Sequence, residues 1–333
     1  MGRIESFAGH QRAFLKVQDG CDAHCTYCII PRLRSRLRSK PVEVAVAEAR
    51  GLVRAGHREI VLTGIFLGAY GRTTAIRRRF PPGRSPLAVL VEALAEVEGL
   101  ERLRLSSLEP GDVDGDLLEV LAGHPTCVPH LHLPLQSGSA AILRRMNRQY
   151  SRDAFGRMVE RVRAALDRPS ITTDIIVGFP GETEADFGAT LEIARFAEFC
   201  KIHAFRFSPR EGTAAARWER EFVPSAIVAE RMARLAEVEG EASLAYRRRL
   251  LGLTERVIVE PQRRNFVQGR LRHGCSDRYF SIHFEASDVR TGDLVRVRID
   301  RVTATRTHGT HIPPRGTIPL RILSPMGARD GDS

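Results

Sequence analysis

"RAFLKVQDGCDAHCTYCIIP", residues 12 to 31, runs a half-polar apolar strand straight into three cysteines, Cys21, Cys25 and Cys28, spaced C-x3-C-x2-C. Iron–sulfur clusters are held by cysteine thiolates, and a cubane has four iron corners. Three protein thiolates leave one iron open, as a catalytic zinc keeps one position open. A zinc site is the alternative, with His24 of the same loop as a fourth ligand. Structural zinc, however, favours paired C-x2-C knuckles, and this stretch is not built that way.

Outward from that stretch, six apolar runs read as strands: "RAFLKV" (12–17), "EIVLTG" (59–64), "RLRLSS" (102–107), "HLHLPL" (130–135), "ITTDIIVGF" (171–179) and "KIHAFRF" (201–207). Helix-like stretches at 41–55, 86–97, 115–122, 139–165 and 183–198 lie between them. This alternation predicts βα units around a parallel sheet. A closed eight-unit barrel takes roughly 250 residues. Six units predict a partial, open barrel, with a doubly wound sheet as the alternative. In either fold the chemistry sits at the carboxyl ends of the strands. The unusual motifs all fall there: "DGCDAHCTYC", "TGIFLGAYG", "SSLEP", "QSGS" and "GFPGET".

The 333 residues allow one large domain and one small one, or two medium ones. Net charge is +11, with 51 Lys and Arg against 40 Asp and Glu, so a polyanion such as nucleic acid is the first candidate partner. Cys127, Cys200 and Cys275 are isolated, which suits metal binding in a reducing compartment better than a disulfide framework. The N-terminal residues show no apolar signal-peptide core and no run is apolar enough to span a membrane, so the expectation is a cytoplasmic protein.

Residues 224 to 249 predict a charged amphipathic helix with Ile227, Met232, Leu235, Val238 and Leu244 on its apolar side. After Leu253 the texture changes. "ERVIVEP", "FVQGRL", "RYFSIHF" and "DLVRVRIDRV" alternate and predict a small antiparallel β-barrel. Its exposed positions carry Arg256, Arg263, Arg264, Arg270, Arg272, Arg296, Arg298 and Arg301, either a solvated basic face or an oligonucleotide surface. "RLRSRLRSKP" (32–41) puts five positive charges beside the cysteine loop and suits phosphate contacts. "YGRTTAIRRRFPPGRSP" (70–86) is a basic loop, an RNA contact or an insertion.

The cysteine motif with Tyr27 before its last cysteine resembles the radical SAM enzymes. "EIVLTGIFLGAYG", "LRLSSLEP", "HLHLPLQSGSAAILRRMNRQY", "TTDIIVGFPGETEADF" and "FRFSPREGTAAA" together resemble the tRNA methylthiotransferases, and "LTGIFLGAYG" the subgroup acting on threonylcarbamoyladenosine. The resemblance covers about residues 7 to 310. It implies an α/β fold: a partial (βα)6 radical SAM barrel followed by a small antiparallel TRAM-like β-barrel. The expected division is a linker remnant (1–10), a radical SAM core (11–240), a TRAM-like RNA-binding barrel (241–310) and a tail (311–333).

The resemblance implies a [4Fe-4S] cluster on Cys21, Cys25 and Cys28, whose open iron chelates S-adenosylmethionine and whose electron cleaves it. It places Tyr27 and the backbone at Val177 and Gly178 near the adenine, and Gly64 and Ile65 near the methionine amine. Ser107 and Glu109 are expected at the ribose or methionine end, and Gln136 and Ser137 toward the cofactor or the base. Each has a structural alternative: Gly64, Gly178 and Gly181 as turn residues, Glu109 as a helix cap. The implied reaction puts a methylthio group on the adenine ring beside the anticodon, with a tRNA anticodon stem-loop as substrate and an electron-donor protein as partner. Complete relatives begin with a further domain whose three cysteines hold an auxiliary cluster. That second set is absent here. Two other functions follow: a short paralogue that cleaves S-adenosylmethionine and binds RNA beside a separate sulfur-cluster domain or chain, or a non-catalytic RNA-binding protein.

Overall fold

The computed structural model describes residues 11–261 and 270–313. Six parallel strands form the larger unit: β1 (Arg12–Asp19), β3 (Glu59–Gly64), β4 (Arg102–Leu105), β5 (His130–His132), β6 (Ser170–Val177) and β7 (Lys201–Arg206). They lie in the order β1-β3-β4 and β5-β6-β7. Backbone bonds from Leu103 N to Thr126 O (2.8 Å) and Leu108 N to His132 O (3.0 Å) join the two halves between β4 and β5. Among the described residues β7 is not paired with β1, so the sheet is a curved, open barrel. A two-residue strand, β2 (Arg38–Ser39), adds antiparallel to the end of β1; its short length hides it from sequence patterns.

The helices α2 (Val42–Arg54), α3 (Pro86–Ala95), α4 (Gly115–Gly123), α6 (Arg152–Ala165) and α7 (Glu184–Ala197) cover the outside. A one-turn α1 (Ile30–Leu33) follows the cysteine loop. Leu15, Leu62, Leu103, Leu131 and Ile175 of the strands are buried against Leu52, Val91, Leu117, Val159 and Leu191 of those helices. The stretch 139–165, expected as one helix, is two: α5 (Ala140–Arg145) and α6. Asn147 takes a left-handed φ of 56° after α5, and Ser151 caps α6 by accepting from Ala154 N. Serine in that role favours a new helix start over continuation. The break lets Asn147 and Arg148 reach the cysteine loop.

Helix α8 (Ser225–Arg248) runs on past residue 240, so the expected boundary at 240/241 falls inside a helix. Its inward positions are Val228, Arg231, Leu235 and Val238, then Tyr246 and Arg247. Ile227, expected on the apolar side, is 39% exposed, and Met232 is only partly buried against the core. The buried Arg231 displaces the simple apolar stripe by pairing with Glu182 (2.8 Å).

The smaller unit is a closed barrel of β8 (Thr254–Val259), β9 (Leu271–Ser276), β10 (Ser281–Glu285), β11 (Leu294–Val302) and β12 (Thr307–Ile312). All its pairs are antiparallel except β10 with β12, which is parallel. β12 lacked a sequence signal because "THGTHI" carries one aliphatic residue, yet it closes the barrel. β9 lies beyond most of "FVQGRL", whose first residues, with Arg263, Arg264, the expected linker and nearly all of the expected tail, fall outside the described residues. Val257, Val259, Ile282, Phe284, Val297 and Ile299 fill the interior.

The two units are joined by buried charge. Arg102 of β4, fully buried, donates to the backbone oxygens of Cys275 (3.1 Å) and Ser276 (2.8 Å). Its guanidinium also lies 3.1 Å from Glu59 and 3.1 Å from Asp277. Arg104 donates to Glu59 (2.8 Å) and to the Asp277 backbone oxygen (3.0 Å). Arg256, expected on an exposed basic face, instead donates to Asp277 (2.7 Å) and to the backbone oxygens of Glu101 and Pro125.

Candidate active site

The cysteine loop leaves the carboxyl end of β1 and is pinned at both ends. Gln18, fully buried, donates to Gly20 O (2.7 Å) and accepts from Phe66 N (2.8 Å), tying the start of the loop to the turn after β3. Gly64 lies so close that a Cβ there would sit 2.9 Å from the Gln18 Cβ, so a structural reason suffices for its lack of a side chain. Thr26 Oγ1 donates to Arg145 O (2.8 Å), and Asn147 Nδ2 donates to His24 O (3.0 Å). His24 and Asn147 both adopt left-handed backbone, at φ 50° and 56°. Paired non-glycine residues in that region cost energy and collect at functional sites.

Cys21, Cys25 and Cys28 are free thiols of intermediate exposure. Cys21 accepts from Ala23 N (3.4 Å), and Cys25 accepts from the Arg148 guanidinium (3.3 Å). Burial pushes the Cys21 thiol up to about 12 and raises Cys25 as well, with Arg148 opposing the rise at Cys25. Such thiols stay protonated until an electrophilic metal displaces the proton. Among the described residues no three His, Cys, Asp or Glu side chains converge on a point fit for one metal ion. A cubane does not need such a point, because each thiolate takes a different iron. One loop with three thiols, backbone and guanidinium donors at two of the sulfurs, and no single-ion geometry fits a cluster better than zinc.

Arg148 is the residue that sequence reasoning missed. Besides Cys25 it donates to the Tyr27 hydroxyl (3.3 Å), ion-pairs with Glu109 and lies over the Tyr150 ring (4.9 Å). Glu109 is held on its other oxygen by Arg77 (3.1 Å), and Arg77 also pairs with Asp112 (2.5 Å). Glu109 therefore serves as a buried counter-ion and not as a helix cap. Ser151, a cap signal in "NRQYS", could have revealed the break in the helix and with it the inward turn of Arg148.

The other expected residues divide. Tyr27 is partly buried and meets Phe179 edge-on (6.3 Å), which brings it to the end of β6. There Gly178 takes φ 76° and donates its N–H to Glu182 (2.9 Å), whose carboxylate Arg231 holds. Val177 O accepts from Phe207 N (2.9 Å), leaving a carbonyl its second lone pair. Ile65 is 38% exposed beside Gly64. Ser107 is exposed after β4, while the hydroxyl of its neighbour Ser106 is buried without a hydrogen-bond partner, an unclaimed polar atom at the same strand end. Gln136 has φ 61° and bridges by backbone to Asp174 (2.8 Å) and Ile176 (2.9 Å). Ser137 packs against α7. It is fully buried, its hydroxyl near Thr190 (3.5 Å) and accepting from Ser139 N (3.2 Å).

The basic loop 70–86 folds over the cysteine loop. Asp22 accepts from Thr74 Oγ1 (2.7 Å) and Ala75 N (2.5 Å), and Gln149 exchanges bonds with Arg77 N and Ala75 O, both 2.9 Å. A cavity of about 360 Å³ opens there, lined by His24, Arg77, Arg78, Asn147 and Gln149 among others. Arg78 of this lining and its neighbour Arg79 are exposed. In 32–41, Arg32, Arg36 and Arg38 are exposed, but Arg34 pairs with Asp19 (3.0 Å) and Lys40 is buried against Glu48. Lys40 is thereby withdrawn from the expected phosphate contacts.

The radical SAM superfamily profile matches residues 15–194. The threonylcarbamoyladenosine tRNA methylthiotransferase MtaB of Chlamydia pneumoniae is 42% identical over 90% of this chain and 68% of its own length. MtaB of Thermotoga maritima is 40% identical over 88% and 64%. The tRNA-2-methylthio-N(6)-dimethylallyladenosine synthase of Frankia alni is 41% identical over 98% and 63%. The chain thus spans about two thirds of the length of these relatives. Among solved structures, the radical S-adenosylmethionine methyltransferase TsrM of Kitasatospora setae, with cobalamin and a [4Fe-4S] cluster bound, superposes with a TM-score of 0.50 at 16% identity, covering 61% of this chain and 36% of that one; this likeness is one of fold. Among the described residues no helix is long and apolar enough to cross a membrane.

Proposed function

Since this chain belongs to the radical SAM superfamily and, within it, to the tRNA methylthiotransferase family, we propose that it modifies an adenosine of tRNA, with Cys21, Cys25 and Cys28 as the ligands of its [4Fe-4S] cluster. The family's cofactors are that cluster and S-adenosylmethionine. The observation that carries the assignment is the single loop of three thiols at the carboxyl end of β1, with Arg148 aimed at Cys25 (3.3 Å). When bound, the cluster supplies the electron that cleaves S-adenosylmethionine.

The chain's own residues do the positioning. Tyr27, Val177 and Gly178 form the adenine side of the site, and Gly64 and Ile65 the side of the methionine amine. Ser107 and Glu109 lie at the ribose or methionine end, where Ser106 adds an unpartnered hydroxyl. Gln136 faces the cofactor or the incoming base. Arg78 and Arg79, with Arg32, Arg36 and Arg38, supply cations for RNA phosphates at the mouth. The core carries the chemistry, and the C-terminal barrel serves as the RNA-binding module.

The finer reading is methylthiolation of threonylcarbamoyladenosine beside the anticodon. Its support is the motif "LTGIFLGAYG"; identities of 42% and 41% to relatives named for two different adenosines do not separate them. Sulfur insertion is assigned jointly to this chain and a further cluster-bearing domain or chain, because Cys127, Cys200 and Cys275 are buried singly at separate places in the fold.

The test is anaerobic reconstitution followed by iron counting, then dithionite with S-adenosylmethionine. About four irons per chain and release of 5′-deoxyadenosine are expected, both lost in the triple Cys→Ala variant at 21, 25 and 28. A fully loaded cluster that yields no 5′-deoxyadenosine would overturn the enzymatic reading. Mass spectrometry of tRNA nucleosides from cells with and without the protein decides which adenosine is modified.

A further inference from the structure

The outer face of the C-terminal barrel carries a row that no strand pattern revealed. His283 of β10 is in register with His273 of β9 on one side and with His308 of β12 on the other, and His308 is in register with Arg301 of β11. Register partners point to the same face of a sheet. The result is three imidazoles and a guanidinium side by side across four strands. The rings stand 5.8 Å apart for His273 and His283, tilted by 25°, and 5.6 Å apart for His283 and His308, tilted by 35°.

The charges around the row are mostly positive. Arg301 and Arg306 act on His308, and Arg306 on His283. Arg298, one row away on β11, is paired with Asp300 (3.1 Å), and Thr310 donates to the same carboxylate (2.5 Å). The acidic groups near the row are Glu260, 3.9 Å from His273 and shared with Arg12 (3.7 Å), Glu285, two residues from His283 on β10, and Asp288. A cavity of about 550 Å³ beside the row is lined by Arg270, His283, Glu285, Asp288 and His308 among others.

We infer that the row His273–His283–His308 is a proton-linked contact for RNA phosphates: RNA laid across this face is held by Arg301 and Arg306, and His283 and His308 take up protons from solvent as it binds. The inference rests on the RNA reading of the preceding section and adds a regulation to it. Burial, then the neighbouring imidazoles and Arg306, hold His283 below its usual value; burial, Arg301 and Arg306 do the same for His308. Both are therefore neutral at pH 7 in the free protein. A phosphodiester charge beside the row screens the cations from one another and makes protonation favourable. Binding then gains strength as pH falls, up to about tenfold per pH unit for each proton taken up.

The test is fluorescence anisotropy with an unmodified anticodon stem-loop RNA at pH 6 and pH 8. The native chain is expected to bind about tenfold more tightly at pH 6, with a salt dependence steeper by about one ion released. The triple variant H273Q/H283Q/H308Q is expected to lose most of the gain between pH 8 and pH 6. Equal gains in native and variant chains would overturn the inference, as would RNA binding by the native chain that ignores pH. Absence of RNA binding at either pH would overturn the RNA reading itself. Should the triple variant fail to fold, NMR titration of His283 in the native chain gives the same decision: its midpoint rises when RNA is added, or the inference is wrong.

Discussion

Replacing Arg102 by Met tests the charge cluster that fastens the two units. Arg102 has no exposed side-chain surface, and neither has Glu59; Asp277 is nearly as hidden. Removing one partner of a buried ion pair costs about 3–5 kcal/mol, because the remaining charge is stranded. Here Arg104 still neutralises Glu59 and Arg256 still neutralises Asp277, so the loss belongs at the lower end, about 3 kcal/mol. Two donors to the carbonyls of Cys275 and Ser276 also vanish. A loss of about 3 kcal/mol shifts a folding equilibrium by roughly a hundredfold, a large part of the 5–15 kcal/mol typical of a domain. Urea unfolding of R102M should show this loss, and limited proteolysis should cut the chain between α8 and β8 sooner. The Glu59 carboxyl adds a pH signature. Burial raises it, but Arg104 and then Arg102 outweigh burial and leave it below the usual 4.5. Its contribution is full above pH 4.5 and is lost as pH falls through the lowered value. In R102M one of the two cations is gone, so acid unfolding should begin at higher pH. An R102M chain within about 0.5 kcal/mol of the native one, the scatter of ordinary surface changes, would refute the reasoning.

Arg148→Met should move the cluster's reduction potential downward by about 60 mV, a tenfold change for one electron, because a cation near a ligand sulfur stabilises the reduced state; Glu109→Gln should move it upward, and redox titration followed by electron paramagnetic resonance reads both. Gly178→Ala would set a Cβ 2.4 Å from Val228 at φ 76°, so a loss of about 2 kcal/mol is expected in urea unfolding, together with weaker S-adenosylmethionine binding by calorimetry. Burial, with the charges of Arg104, His132 and Arg102, holds His130 neutral well below the usual 6.5. The unfolded chain therefore binds more protons there, and stability should fall as pH drops below 6.5, a slope that His130→Asn flattens in melts from pH 7 to pH 5.

Most of the larger unit was legible because its strands are apolar runs in regular alternation with helices. "EIVLTG" forms β3 over its whole predicted length, and "KIHAFRF" forms β7 to within one residue. The elements that escaped have weak or borrowed signals. β12 is "THGTHI", held by neighbours on both sides, and the pause between α5 and α6 depends on a single left-handed asparagine and a serine cap. The cysteine loop was legible because its spacing is local. Arg148 was not, because its partners Cys25, Tyr27 and Glu109 lie far from it along the chain.

The amino-acid sequence determined by itself the order of βα units, the three-thiol loop at the end of the first strand and the basic character of the chain. These rest on periodicity, local spacing and composition, which need no knowledge of what folds against what. Tertiary structure alone decided which charges remain free. Arg102, Arg104, Arg256 and Lys40 turn inward to buried carboxylates, while Arg301 joins three histidines on an outer face. A charge stays at the surface or turns inward according to the partner that chain topology brings within about 4 Å. That partner is set by strand order and register, which no local window of residues contains.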